Sequence, residues 1–215
     1  MKIVDAKYQI ILPYPDWESA RTTIYQTIET AGRTCYKSEA KITPDSAAKF
    51  VRNVVKNQHE AMLEHASLTV RFTVDRGVSH EIVRHRMASY AQESTRYCRY
   101  KDEITVIRPD VPSDAEWLDS FLSNWTEAME VSEQCYLNML EAGVPAEWAR
   151  SVLPNSLKTE IVVTMNMREW RHFFKLRAVG VTGKPHPQMS EVAVPLMHEM
   201  QKELPEIFGD LEELK

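Results

Sequence analysis

The sequence lacks the glycine-rich motifs that hold common nucleotide cofactors. It has only six glycines in 215 residues, and none lies in a GxGxxG, GxxxxGK(S/T) or GxSxG pattern. These patterns place glycine where the backbone approaches a phosphate or makes a sharp turn. Their absence excludes a dinucleotide held by a Rossmann turn, ATP held by a P-loop, and the nucleophile elbow of an α/β-hydrolase.

Cysteine is scarce as well. The three cysteines, Cys35, Cys98 and Cys135, are far apart and form no CxxC pair. An odd number at these spacings argues against a disulfide framework and against a cysteine-based zinc site, and it fits a reducing cytoplasm. None of the three lies in a motif that marks a cysteine nucleophile.

Long apolar runs are also missing. No stretch approaches the roughly 18 apolar residues of a membrane span, and the N-terminal residues carry Asp5 and no apolar core of a signal peptide. We therefore expect a cytoplasmic protein without a membrane partner. The formal net charge of −5 gives no general affinity for nucleic acid, so any anion site has to be built locally.

Hydrophobic periodicity predicts strands that alternate with helices. The predicted strands lie at 2–13, 66–76, 104–109 and 157–166. The predicted helices lie at 16–32, 43–58, 77–87, 113–142, 168–178 and 187–204. Because all the loops are short and no segment has the composition of a linker, the pattern predicts one α/β domain over residues 1–215.

The segment 84–101 concentrates positive charge in an otherwise acidic chain. It has five basic residues and one acid, Glu93, so its net charge is +4 and the rest of the chain carries −9. Guanidinium groups suit phosphate, and Ser89, Ser94 and Thr95 add neutral donors. The segment is either a solvated basic face or an anion site. The interleaved tyrosines, which suit flat rings, favour a nucleotide.

A second basic cluster, NMREWRHFFKLR, occupies 166–177. At helical spacing Trp170, Phe173 and Phe174 fall on one side, which favours a place in the core over stacking on a ligand. Arg177 falls at the end of the predicted helix. There it either complements the helix dipole or stabilises an anion that develops in a substrate.

The stretch HEAMLEH resembles the helix of a zinc protease, but its spacing is wrong. Its histidines, His59 and His65, are six positions apart, about 240° around a helix, whereas the HExxH motif needs four. We expect a helix-to-strand connection here and no metal site. The residues by themselves therefore indicate a nucleotide-binding α/β protein with electrophilic arginines and no obvious covalent catalyst.

Four blocks of the sequence, taken together, resemble the flavin-dependent thymidylate synthase family. The blocks are HEAMLEH at 59–65, RHRMASYAQES at 84–94, ARSVLP at 149–154 and NMREWRHFFKLR at 166–177. The second block matches the family's RHR-x7-S signature, in which seven residues separate an Arg-His-Arg triplet from a serine. The resemblance covers most of the chain, from about Arg33 to the final helix.

This resemblance implies that the protein converts dUMP to dTMP. In the family, 5,10-methylenetetrahydrofolate gives the carbon, and FAD reduced by NADPH delivers the hydride. The implied fold is of the α+β type, a central and mostly antiparallel sheet wrapped by helices. The implied assembly is a homotetramer whose active sites are shared between subunits. No enzyme side chain acts as a covalent nucleophile, which agrees with the uninformative cysteines.

Position by position, the resemblance also implies ligand contacts. The positions that match flavin contacts are Arg84, His85, Arg86, Gln92, Asn166, Met167, Arg168 and His172. The positions that match dUMP contacts are Glu81, Arg84, Gln92, Ser94, Thr95, Arg96, Arg150 and Arg177. Arg177 matches the arginine that favours ionisation of the uracil N3 and so makes C5 nucleophilic. A guanidinium is suited to this role because it stabilises a neighbouring anion.

Three positions depart from the family's pattern. Glu81 stands where several relatives have a glutamine that touches dUMP, and a carboxylate near a phosphate is unfavourable. Gln92 stands where some members have glutamate, and Ala61 lacks a hydroxyl that some relatives offer to FAD. Each departure weakens a contact, but none removes the RHR-x7-S motif.

Two other functions stay open at the level of the sequence. A nucleotide- or flavin-binding regulatory protein would keep the site without turnover, although the intact Arg177 and Ser94 speak against it. An RNA-binding module would use the segment 84–101. The acidic remainder and the lack of a recognisable RNA-binding motif speak against that alternative.

Overall fold

The structure, a computed structural model, describes residues 1–211. The strands are β1 (Lys2–Val4), β2 (Lys7–Ile11), β3 (Ser67–Asp75), β4 (Ala88–Gln92), β5 (Thr105–Ile107) and β6 (Lys158–Asn166). The α-helices are α1 (Trp17–Cys35), α2 (Ser46–Lys56), α3 (Arg76–Ile82), α4 (Leu118–Glu141), α5 (Ala146–Ala149), α6 (Met167–Phe174), α7 (Pro187–Glu203) and α8 (Pro205–Phe208). A π-helical turn, Lys175–Val179, follows α6 directly.

Two sheets are present within the described residues. An antiparallel sheet has the strand order β2-β3-β6-β4, and a two-stranded parallel sheet pairs β1 with β5. In the parallel pair Lys2 lies opposite Thr105 and Val4 opposite Ile107. The predicted α/β class and the predicted antiparallel sheet are therefore confirmed.

The beginning of the chain departs from the prediction. The single strand predicted at 2–13 is wrong, because Asp5 and Ala6 separate β1 from β2 and the two strands join different sheets. Lys2–Val4 follows β5, whereas Lys7–Ile11 is an outer strand of the antiparallel sheet. The apolar pattern identified extended backbone but not the change of partner.

The region of the Arg-His-Arg triplet also differs. The short helix predicted at 77–87, which we expect to fray near the arginines, ends at Ile82, so the triplet lies between α3 and β4. Strand β4, Ala88–Gln92, was not predicted. Its sequence, ASYAQ, has weak intrinsic preference for a strand, and pairing with β6 supplies what the local sequence lacks.

Helix α1 shows how a single glycine sets a packing distance. Asp16 caps the helix, since its Oδ1 accepts a bond of 2.7 Å from the backbone N–H of Ser19. Gly32 lies near the C-terminal end of the helix, which closes at Cys35. A Cβ at this position would come within 2.4 Å of the Cζ of Phe50 in α2. The glycine therefore lets α2 approach α1 closely.

The chain folds as two compact units, each assembled from separate segments. The first unit comprises Met1–Lys7, Phe72–Arg84 and Ala91–Ile161. The second comprises Tyr8–Arg71, His85–Tyr90 and the described residues from Val162 onward. Because these segments alternate along the chain, no single cut separates the units. The single domain expected over 1–215 stays a prediction.

The core of the first unit lies between β5 and α4. Buried side chains of α4, Met129 and Tyr136, pack with Ile104, Val106 and Leu157. Burying a large apolar side chain contributes roughly 1.5–3 kcal/mol. The segment after β4 packs against this cluster through Tyr100.

The core of the second unit contains the aromatic face of α6. Trp170, Phe173 and Phe174 are fully buried and pack on one another, and Phe174 also packs against Phe208 of α8. The indole N–H of Trp170 donates to the carbonyl of Leu68 at 3.1 Å. The predicted core role of these rings is confirmed, and it fixes the orientation of the opposite, polar face of α6.

Arg171 anchors α6 on its other side. Its guanidinium is buried and pairs with both oxygens of Asp210, at 2.6 and 2.8 Å, and with the carbonyl of Ile207. Burial opposes ionisation of Asp210, but the hydrogen bond and the positive charge of Arg171, with smaller contributions such as the charge of Lys175, together lower the pKa of that carboxyl. Within residues 1–211, none of the helices has the length and apolar character needed to cross a membrane.

Candidate active site

Most polar groups of the candidate site come from the junction between β6 and α6. Asn166 is the last residue of β6 and the N-cap of α6, and its Oδ1 accepts a 2.8 Å hydrogen bond from the backbone N–H of Glu169. The first turns of α6 then face a cavity of about 400 Å³. The cavity is lined by Glu60, Glu64, Met87, Asn166, Arg168, Glu169, His172 and Lys175.

Cations and carboxylates balance each other at this cavity. Arg168 Nη1 lies 2.6 Å from Glu64 Oε1, and its Nε lies 3.6 Å from Glu60 Oε2. Lys175 Nζ lies 3.7 Å from Glu60 Oε1. The side chain of Arg168 is 51% exposed, and ion pairs as open to solvent as these contribute about 0–1 kcal/mol. An anionic ligand can therefore replace Glu60 and Glu64 as the partner of Arg168 at a small cost in free energy.

His85, the middle residue of the Arg-His-Arg triplet, is buried behind the cavity. Its Nδ1 lies 3.0 Å from Glu169 Oε1, and its Nε2 lies 3.3 Å from the Nε of Arg177. Its ring meets the ring of Phe173 edge to face, and the ring of His172 lies 5.6 Å away, centroid to centroid. The histidine thus connects a carboxylate on one side with a guanidinium on the other.

The surroundings of His85 favour the neutral form of its imidazole. Burial lowers the pKa of His85, the nearby Glu169 opposes that shift, and the positive charge of Arg177 adds to it. A neutral ring has one donor nitrogen and one acceptor nitrogen. Because Arg177 can only donate, the Nε2 of His85 is the acceptor and its Nδ1–H donates to Glu169.

Arg177 lies in the π-helical turn after α6 and is partly buried. π-turns are often found at functional sites, because the extra residue redirects side chains that a regular helix would aim elsewhere. The turn ends at Gly180, whose φ of 78° is in the left-handed region. A Cβ there would lie 2.9 Å from the carbonyl oxygen of Gly183, so a side chain is excluded.

A second group of predicted site residues lies in the first unit, after β4. Ser94 Oγ accepts from the backbone N–H of Arg96 at 3.3 Å, and the carbonyl of Ser94 accepts from Cys98 N–H at 2.9 Å. These bonds hold 94–98 as a compact turn. The buried Thr95 bonds through its hydroxyl to Nη1 of Arg150 at 3.3 Å. The turn and the adjacent Arg150 thus bring together two guanidinium groups, of Arg96 and Arg150, and two hydroxyl groups, of Ser94 and Thr95.

Further contacts of Arg96 and Tyr100 support this turn. Arg96 lies 3.5 Å from Glu147, and its guanidinium sits over the ring of Tyr97 at 5.4 Å. Tyr100 donates to Glu93 at 2.9 Å. Burial raises the pKa of that phenol, and the negative charge of Glu93 raises it further. Tyr100 also packs against the buried Tyr136 of α4. The turn is therefore anchored to the core of the first unit.

Gln92 lies at the end of β4 and points toward two hydroxyls. Its Nε2 donates to Ser79 Oγ at 2.9 Å and to Thr159 Oγ1 at 3.2 Å. Glu81 lies on α3, and its carbonyl accepts from the backbone N–H of Arg84. The hydroxyl oxygens of Ser79 and Thr159 thus accept hydrogen bonds from the amide of Gln92. A glutamate at this position would have no N–H to donate to them.

The predicted site residues divide cleanly between the two units. The second unit holds His85, Arg86, Asn166, Met167, Arg168, His172 and Arg177, whereas the first holds Glu81, Arg84, Gln92, Ser94, Thr95, Arg96 and Arg150. Arg84 and Arg86 are exposed, but Met167 is fully buried and uses its backbone N–H to bond Ala66. Every predicted ligand contact remains a prediction.

Glu169 is the residue that the sequence analysis missed. It is the only acid in the block 166–177 and stands three positions after Asn166, the spacing of a capping box. That spacing was the available signal, but it would have assigned the carboxylate to the helix end. In the structure its side chain bonds His85 instead.

The same cluster is a possible cation site on proximity alone. Ligand atoms of His85, Glu169 and His172 all lie within 4.8 Å of one another. However, both ring nitrogens of His85 already have partners, Glu169 and Arg177. His59 and His65, which the sequence analysis had weighed for metal binding, are exposed and lie outside this cluster.

Comparison with known proteins connects this geometry to one family. The family described as "Thymidylate synthase complementing protein" matches residues 20–206. The flavin-dependent thymidylate synthase of Mycobacteroides abscessus is 34% identical over 226 residues, which cover 96% of this chain and 88% of that protein. The one from Mycobacterium tuberculosis is 34% identical over 200 residues, covering 86% and 78%.

A solved structure shares the fold. The UMP/dUMP methylase PolB of Streptomyces cacaoi, crystallised with 5-Br dUMP, superposes with a TM-score of 0.81 over 99% of this chain and 97% of that one, at 21% identity. Sequence relatives over nearly the full length and a family match over most of it agree with this fold. The chain belongs to the flavin-dependent thymidylate synthase family.

Proposed function

We propose that the protein methylates dUMP to dTMP, with 5,10-methylenetetrahydrofolate as carbon donor and FAD reduced by NADPH as hydride source. The observation that carries the proposal is the match to flavin-dependent thymidylate synthases over 96% of the chain. The contact of Arg177 with the buried His85 supports it, because His85 in turn bonds Glu169, which lines the α6 cavity. The protein would be a methyltransferase with a bound flavin.

The chemistry of the cavity fits a flavin nucleotide. Arg168, His172 and Lys175 offer donors to phosphate or to ring carbonyls, and Met87, 65% exposed, offers a polarisable apolar surface. The exposed Arg84 and Arg86 would add guanidiniums, and Asn166 an amide. When bound, the flavin supplies a hydride that the side chains of the protein cannot supply.

The turn at 94–98 would hold the nucleotide substrate. The guanidiniums of Arg96 and Arg150 suit a phosphate, and the hydroxyls of Ser94 and Thr95 add neutral donors. Thr95 already orients Arg150 through their 3.3 Å contact. An arriving phosphate would therefore meet donors that need little rearrangement. Glu81 and Gln92 are further candidate contacts.

Arg177 would act on the uracil ring. A guanidinium stays protonated near neutral pH, so it cannot remove a proton, but it lowers the pKa of a neighbouring acid by stabilising the anion. Placed beside the uracil N3–C4 edge, Arg177 would favour the N3-deprotonated ring, whose charge spreads to C5. C5 would then attack the methylene carbon while the bond from that carbon to a folate nitrogen breaks and the nitrogen keeps the electron pair, so no enzyme nucleophile is required.

The proposed reaction needs no cysteine nucleophile. Among residues 1–211, no cysteine lines the α6 cavity; Cys35 and Cys135 lie exposed on helices, and the half-buried Cys98 ends the turn at 94–98, where its backbone N–H bonds the carbonyl of Ser94. The proposal includes a homotetramer with active sites shared between subunits, and a cytoplasmic location.

The proposal predicts that the purified protein is yellow. Its absorption spectrum should show the flavin bands, and released cofactor should identify as FAD by mass. A colourless preparation that takes up no added FAD would contradict the proposal.

A further inference from the structure

We propose that Glu169 is a positioning residue that acts through His85 to orient the guanidinium of Arg177. The proposal rests on the proposed function for the role of Arg177, but the contacts themselves are independent of it. Glu169 Oε1, His85 and Arg177 form one hydrogen-bonded chain, with steps of 3.0 and 3.3 Å. Glu169 does not itself need to touch a ligand for this role.

The hydrogen-bonded chain from Glu169 to Arg177 works by fixing the tautomer of His85. A carboxylate accepts hydrogen bonds only, so it holds the proton of the neutral imidazole on Nδ1. Nε2 is then an acceptor and receives the Nε–H of Arg177. With the other tautomer, an Nε2–H would point at the Nε–H of Arg177, and the contact would become a repulsion between two donors.

The contact uses only one edge of the guanidinium. Arg177 donates to His85 through Nε, so this bond does not consume the terminal nitrogens. Fixing Nε also fixes the plane of the guanidinium, because the group is rigid. A guanidinium held in this way approaches a planar ligand with its orientation already set, which reduces the ordering required in each catalytic cycle.

The backbone supports the carboxylate as well. Glu169 lies in the first turn of α6, where its N–H is bonded to Asn166 Oδ1. The side chain of Glu169 is only 12% exposed. His85 is also held in place, because the phenol of Tyr90 donates to its backbone carbonyl. The carboxylate and the imidazole are therefore both held before any ligand binds.

The charged groups that face His85 set its response to pH. They are Glu169 and His172 on α6 and Arg177 on the π-helical turn; the exposed Arg84 and Arg86 flank it in sequence. Protonation of His85 would make Nε2 a donor and break the contact with Arg177. The proposed chain therefore operates only above the lowered pKa of His85.

Two substitutions separate the tautomer from the charge. Glu169→Gln removes the charge but keeps an oxygen that accepts the Nδ1–H, whereas Glu169→Ala removes the acceptor. The matched control is Glu203→Ala. Glu203 is a carboxylate of similar exposure, 15%, on α7, and it pairs with Arg21. All variants would be studied as full chains with flavin bound, after thermal denaturation has shown that each is folded.

The first readout is NMR of the imidazole nitrogens with ¹⁵N-labelled histidine. We expect wild type and Glu169→Gln to show the Nδ1–H tautomer of His85, and Glu169→Ala to shift toward Nε2–H. In Glu169→Gln the midpoint of the His85 titration should fall further below 6.5, because a negative charge that favoured protonation is lost. Loosened packing would raise the midpoint instead, since it relieves burial. A wild-type Nε2–H tautomer, or an unchanged tautomer in Glu169→Ala, would overturn the proposal.

The second readout is steady-state formation of dTMP. We expect kcat of Glu169→Ala to fall by about 10- to 100-fold, with a smaller change in KM for dUMP, because misorientation of one catalytic group has effects of this size. Glu169→Gln should stay within about threefold of wild type, and its acidic limb should move to lower pH. Equal losses in both variants would contradict the proposal. If wild type makes no dTMP, the proposed function fails, while the NMR result still decides whether Glu169 sets the tautomer.

Discussion

At the scale of single residues, the proposed chemistry depends on guanidinium groups whose orientation is fixed by neighbouring side chains. Arg177 is held by His85, Arg150 by Thr95 and Arg171 by Asp210. The third is a structural anchor, and the first two are the candidates for ligand binding. A guanidinium in this position stabilises anions but does not transfer protons near neutral pH.

Arg177→Ala should nearly abolish formation of dTMP while FAD remains bound. The alanine removes the group that favours ionisation of the uracil, and the proposed flavin contacts at Asn166, Arg168 and His172 are intact. Turnover and the flavin spectrum should be measured on the same preparation. Arg108→Ala is a suitable control, because Arg108 is 61% exposed and pairs only at the surface, with Asp5. Substantial activity in Arg177→Ala would remove this residue from the mechanism.

At the scale of elements, the junction from β6 to α6 combines structure and binding in one residue. Asn166 ends the strand, caps the helix and lines the cavity. A substitution there therefore changes stability and ligand binding together, unless the cap is preserved.

Asn166→Ala should lower the free energy of unfolding by about 1 kcal/mol, since the helix loses its side-chain cap. Asn166→Asp keeps the capping oxygen, so it should be nearly as stable as wild type, but it should bind FAD more weakly because it adds a negative charge and loses the amide donor. Urea denaturation and flavin titration measure the two effects separately. As a control, Asp16→Ala removes the cap of α1 and should leave flavin affinity unchanged. Equal flavin affinity in Asn166→Asp and wild type would exclude a contact from this amide.

Local sequence was sufficient for the elements with strong periodicity. Helices α1, α4 and α7 and strands β3 and β6 are confirmed. The signals that predict them, the apolar spacing and the prolines and glycines near their ends, are local in sequence. Strand β4 was missed because its residues owe their conformation to β6, which is distant in sequence. The continuous strand at 2–13 was wrong for the same reason: the pairing partners, not the apolar run, decide where β1 ends.

The candidate site shows the same limit. Motif spacing and family resemblance pointed to the Arg-His-Arg triplet, the turn at Ser94 and the block at 166–177. They did not reveal the role of Glu169, because its partner His85 is 84 positions away. A contact between residues so far apart in sequence is decided by how the elements pack, and a single sequence carries no local trace of it.

At the scale of the whole molecule, the proposed assembly makes the active site a property of several chains. The predicted contacts for flavin and for dUMP fall largely in different compact units. In a shared site, one chain would supply Arg177 and another would supply Ser94. Inactive variants would then be able to complement each other.

Co-expression of Arg177→Ala with Ser94→Ala should restore part of the activity. If a site takes these two residues from different subunits, random mixing in equal amounts leaves about a quarter of the sites with both wild-type residues. Differently tagged subunits allow mixed oligomers to be purified and assayed, with each variant alone as the control. Mixed oligomers with no more activity than the separate variants would place both residues in the same chain's site.

The most direct test of the central claim is an anaerobic assay for dTMP with dUMP, 5,10-methylenetetrahydrofolate, NADPH and the flavin-loaded protein. We expect dTMP to form in the complete mixture, and we expect multiple turnover to stop when any one of the three small molecules is left out. Flavin that is reduced and reoxidised in the complete mixture without any dTMP would contradict it.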